Sequence, residues 1–149
     1  MINQIGRKIY FDKSIGNVIL DTGEKMGAVI ETTIDQDFET YQALKERVRD
    51  TVGVIKLEYG QYAEDFAQCN GYRVNPETLE LEFSYPDPNV TEPQEPVFQK
   101  PLTEQIKELE EQNLELMLSI AEMAESHEQE KTELQLAIAE LAELVAGGN

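Results

Sequence analysis

The chain has 149 residues and a formal charge of −18, with 30 acidic against 12 basic side chains. That balance argues against phosphate-backbone recognition and against attraction to anionic membranes, both of which need clustered Lys and Arg. With 7% aromatics, no Trp, one Cys and one His, a large core, an internal disulfide and a four-ligand zinc site are also excluded.

The length suits one modest domain plus an extension. Asn3, Gln4, Arg7 and Lys8 follow Met1 too closely to leave a signal-peptide core. No stretch approaches the roughly 20 apolar residues of a membrane span. A cytosolic product is therefore expected, and the Asn89-Val90-Thr91 sequon is read as a chance match.

From the N-terminus, Lys8–Asp12 and Val18–Asp21 are short apolar runs around Lys13-Ser14-Ile15-Gly16-Asn17, which predicts a β-hairpin. Thr33 or Asp35 can cap a helix in which Phe38, Tyr41, Leu44 and Val48 recur at three- and four-residue spacing. Val52–Tyr59 alternates Ile55, Leu57 and Tyr59 with Lys56 and Glu58, as a half-buried strand does. Tyr62, Phe66 and Cys69 fit one face of a short second helix. Tyr72–Val74 and Leu79–Phe83 flank Asn75-Pro76-Glu77-Thr78, a second hairpin. The predicted fold is α+β, a ββ-α-β-α-ββ head over residues 1–85.

Residues 86–101, PDPNVTEPQEPVFQKP, hold five of the six prolines. They predict an extended, semi-rigid linker without helix or sheet. Residues 102–146 contain neither Gly nor Pro, and Gly147-Gly148 supplies a stop. A continuous helix of that length spans about 67 Å. Residues 147–149 are expected to form a flexible end.

The helix carries a heptad. Ile106, Asn113, Ile120, His127, Leu134 and Leu141 take the a positions. Leu102, Leu109, Leu116, Met123, Glu130, Ala137 and Leu144 take d. Nine of these thirteen are Leu, Ile or Met, the pattern of a coiled-coil seam that assembles copies of the chain. Ile at a with Leu at d and Asn113 leans toward a dimer. Met117, Ala124, Ile138 and Val145 at e widen the stripe toward a trimer or a second protein. Two Lys against twelve Glu give this segment −10 of the chain's charge, mostly on solvated positions. An acidic DNA mimic would need carboxylates on a phosphate-like spacing, and heptad-patterned Glu on outer faces is the commoner origin of such charge.

Two motifs carry competing readings. Asp21-Thr22-Gly23 matches the catalytic loop of dimeric aspartic proteases, in which two aspartates share a proton across a symmetry axis. The residue after it is Glu24 rather than a small one, and the later apolar-apolar-Gly signature is broken at Cys69-Asn70-Gly71. A strand end leading into a turn explains the same three residues. His127 is either a register-setting polar layer with Glu130 one turn away, a pH switch or metal ring on the axis, or a corner that bends the tail near His127-Glu128-Gln129-Glu130.

Finally, "MINQIGRKIYFDKSIGNVILDTGE", "LEYGQYAEDF" and "GYRVNPETLELEFSYPDPN", with the Pro-rich joint into a Glu/Leu helix, resemble a family of small phage proteins. These belong to the tail-fibre and baseplate region of tailed phages and PBSX-like prophages of Bacillus-type bacteria. The resemblance is best over residues 1–90. It implies a non-enzymatic virion tail or tail-fibre component, or an assembly chaperone that leaves before the particle matures. Partners would be further copies of this chain and other tail proteins. Neither nucleic acid nor membrane is implied, no catalytic, cofactor or metal residue is carried over, and the location would be the bacterial host cytoplasm and then the virion tail.

Overall fold

The computed structural model describes residues 1–148. Its organising strand is β2 (Lys8–Asp12), where period-2 alternation sends Ile9 and Phe11 to one face and Tyr10 to the other. All three are buried. Strand β2 lies between β3 (Val18–Asp21) and β5 (Val52–Lys56) in an all-antiparallel sheet of order β3-β2-β5. The expected first hairpin is therefore present, with a register irregularity between Tyr10 and Phe11. Opposite Phe11 stands Gly53. A Cβ there would lie 2.3 Å from the phenyl ring, so the ring lies where a side chain would otherwise stand.

One face of the sheet packs Ile9 and Phe11 against Leu57, Val74, Leu81 and Phe83. The last three belong to the second hairpin, β6 (Gly71–Val74) with β7 (Leu81–Ser84). Helix α3 (Ala63–Gln68) adds Phe66, whose ring meets those of Tyr72 and Phe83 edge-on at 5.0 Å each. The first hairpin turn docks on β6 through Gly16, which accepts from the Val74 amide at 2.9 Å. Its φ of +77° and the Val74 carbonyl, 1.8 Å from any added Cβ, admit only glycine. The opposite face packs Tyr10 with Leu44 and Val52.

Three elements differ from expectation. A two-stranded ribbon, β1 (Asn3–Ile5) with β4 (Lys25–Gly27), precedes and follows the first hairpin; three-residue segments of mixed polarity give no periodic signal. The helix expected through Val48 stops early. Thr33 caps α1 (Ile34–Thr40) through a capping box with Gln36, but Tyr41 is extended at φ −91°, ψ 121°. A second short helix, α2 (Gln42–Lys45), follows. The break brings Leu44 to full burial beside Tyr10, while Val48 stays exposed. Strand β5 ends at Lys56 rather than Tyr59; Leu57 is buried, but Tyr59 is exposed.

The Pro-rich segment is not a free spacer. Phe83 and Gln99 exchange both backbone hydrogen bonds, at 2.8 and 2.9 Å. Phe98 lies under the Arg73 guanidinium at 4.6 Å, and Pro101 is buried. Prolines forbid a continuous ladder yet leave single pairs such as this one available. The first compact unit accordingly runs from Met1 to Gln105, beyond the boundary at 85.

The second unit begins at Ile106 and consists of the body of one helix, α4 (Leu102–Gly147). It is continuous for 46 residues, about 69 Å, with no corner at His127. Gly147 is its last helical residue and Gly148 a turn. Of the end expected to be flexible, Asn149 lies outside the described residues.

Candidate oligomerisation surface

Helix α4 has a sequence rich in Leu, Glu, Ala and Gln, all good helix formers, so its continuity follows from composition. No residue from Leu102 to Gly147 is buried. At the seam positions Ile106, Leu109, Asn113, Leu116, Ile120, Met123, His127, Leu134, Ala137, Leu141 and Leu144 are exposed. Their apolar members range from 54% exposed at Ile106 to 73% at Leu144. Leu102 differs, being half-buried within the first unit, so the free stripe begins at Ile106. Leu114, Leu118 and Leu136 are also exposed at b, f and c. Reading only a and d overlooks them, although their size in the sequence is the signal.

The start of α4 is held by side chains distant in sequence. The Pro101 carbonyl accepts from the Glu104 and Gln105 amides, both at 3.1 Å, which makes Pro101 the capping residue. Proline has no side-chain acceptor, and the first helical amides need one. Asp65 on α3 supplies it. Its carboxylate accepts from the Thr103 hydroxyl at 2.5 Å, from the Thr103 amide at 3.4 Å and from the Tyr85 hydroxyl at 2.5 Å. Tyr85 in turn accepts from the Leu102 amide at 3.0 Å.

Asp65 is 2% exposed, and its charge stands at the positive end of the helix dipole. Tyr62 donates to Glu104 in the same turn; burial and that bond push its phenol up to about 12. Sequence spacing gave no hint of this clamp, because its members lie up to 42 positions apart.

Asp21-Thr22-Gly23 sits at the end of β3, where Asp21 accepts from Arg7 at 2.8 Å, from the Tyr72 hydroxyl at 2.8 Å and from the Gly23 amide at 2.8 Å. Thr22 accepts from the Lys8 amide at 2.9 Å. Arg7 also stacks over Phe66 at 3.8 Å. The carboxylate thus ties the hairpin end to β6.

A second cluster centres on a buried ion pair. Lys8 and Asp37, 4% and 1% exposed in their side chains, pair at 2.6 Å, and Tyr10 donates to the same oxygen at 2.6 Å. Thr32 donates to the other Asp37 oxygen and accepts from Lys8. Burial works against the Asp37 charge, but the bonds from Lys8, Thr32 and Tyr10 outweigh it and hold the carboxyl below its usual range. Burial also pushes the Cys69 thiol up, away from reactivity.

Among the described residues no three His, Cys, Asp or Glu side chains gather as a metal site would. Nor is any helix there long and apolar enough to cross a membrane. Compared with protein-family models, curated proteins and solved structures, the chain matches none.

Proposed function

We propose that this chain is a non-enzymatic structural or interaction protein that self-associates through α4 as a coiled coil and presents the α+β head for contact with other proteins. The setting, implied by the sequence resemblance alone, is the tail or tail fibre of a phage. The observation that supports the reading is the row of large apolar side chains exposed along α4 in one heptad frame. Covering a side chain of this kind returns roughly 1–2 kcal/mol. Eleven of them (the eight large seam residues from Ile106 on, with Met117, Ile138 and Val145) return on the order of 20–40 kcal/mol from a pair of helices. Association costs roughly 4–15 kcal/mol, so the row favours a partner.

Light scattering tests the assembly. The full-length chain, 16.9 kDa, is expected at two or more chain masses, and a fragment ending at Gln105, the limit of the first unit, at one. A monomeric full-length chain overturns the reading, as does a 1–105 fragment that keeps the same oligomer. Mass spectrometry of purified particles tests the setting: fixed stoichiometry marks a structural component, and absence marks an assembly chaperone.

A further inference from the structure

The apolar row of α4 has a gap. Between Met123 and Leu134 nothing apolar exceeds Ala124, and the two seam positions inside the gap are His127 and Glu130. Helix continues through it without a break. The heptad also keeps its phase, because Met123 at d and Leu134 at a are eleven residues apart, one heptad plus the d-to-a step. A helix facing one neighbour before the gap and an unrelated one after it would have no reason to hold that phase. One continuous partner with a matching gap accounts for it, and a second copy of α4 has that gap.

Direction then follows from what meets what. In a parallel, in-register pair each seam residue meets itself, so Glu130 faces Glu130 at a core d position. On the flanks Met117 would then lie beside Gln112 and Ile138 beside Glu133. In an antiparallel pair a positions face d positions. Centring the pair on the gap places His127 of each copy level with Glu130 of the other, an imidazole donor against a carboxylate acceptor. In the same register Met123 meets Leu134, Leu116 meets Leu141, and the wide Ile120 meets the small Ala137. The e-position side chains of Met117 and Ile138 also come together, and the one seam pair that sets polar against apolar is Asn113 with Leu144.

We propose that α4 pairs antiparallel with α4 of a second copy, each His127 bonded to Glu130 of the other; the proposal rests on the self-association reading above and adds direction and register. Ile106 and Leu109 then lie beyond the end of the partner helix, so at most nine of the eleven large side chains per helix are covered in this register. The two helix N-termini fall about 80 Å apart at 1.5 Å per residue.

Spin labels on single cysteines, placed in the full-length chain with Cys69→Ser, decide between the arrangements by electron–electron distance. Glu111→Cys and Glu128→Cys are both on outward positions. The antiparallel register puts the labels about 50 Å apart at 111, and within about 25 Å at 128, where the helices cross their two-fold axis. Light scattering should give two chain masses for both variants. Short distances at both sites, or a mass of three chains, overturn the antiparallel pair while leaving self-association standing. A monomer mass without dipolar coupling overturns both.

Discussion

Removing the Asp65 carboxylate is the sharpest test of how α4 begins. Asp65→Ala deletes three acceptor contacts at once: the Thr103 hydroxyl, the Thr103 amide and the Tyr85 hydroxyl. Hydrogen bonds to a charged group contribute about 1.5–3 kcal/mol each, and loss of a helix cap costs about 1 kcal/mol. The three share one carboxylate and one of them is long, so their losses overlap. A total near 4 kcal/mol is expected, a large part of the stability of a unit this size. With an m-value of about 2 kcal/mol/M, the urea midpoint of the head should fall by about 2 M. All six tyrosines lie before residue 86, so near-ultraviolet circular dichroism follows the head while the 222 nm signal is dominated by α4. Asp65→Asn, which keeps an acceptor oxygen and the shape, should lose about half as much. Hydrogen exchange at the Leu102 and Thr103 amides should accelerate in Asp65→Ala. A midpoint within about 0.25 M of the wild type would refute the clamp.

Two further outcomes are expected. The Asp37 carboxyl is held below the usual carboxylate range, so its stabilisation is present above about pH 4, the ordinary value in the unfolded chain, and disappears as pH falls through the lowered folded value. Asp37→Asn should therefore reduce the head's loss of stability between pH 5 and pH 3, while costing about 3–5 kcal/mol at neutral pH by stranding buried Lys8; an acid profile parallel to the wild type would count against the pairing. Leu79, exposed in the second hairpin turn, has φ +60°. Leu79→Gly should raise stability by about 1 kcal/mol in urea unfolding, and a loss instead would mean that the leucine side chain packs usefully there.

Local pattern carried much of the architecture. The two hairpins, the capped start of α1, the short α3 and the run of α4 were legible because periodicity, turn chemistry and helix propensity act over a few residues and agree at these places. The heptad along α4 was equally visible, since nothing in its own unit competes for those side chains. Other features belong to the assembled head alone. Tyr41 breaks a helix that its neighbours favour because Leu44 must reach the space beside Tyr10. β1 and β4 are strands only through each other, across 20 to 24 positions. The Asp65 cap and the Lys8–Asp37 pair join segments whose separation leaves no local trace. A buried charge is tolerable only where its partners converge, and that convergence is a property of the folded head, not of any stretch of its sequence.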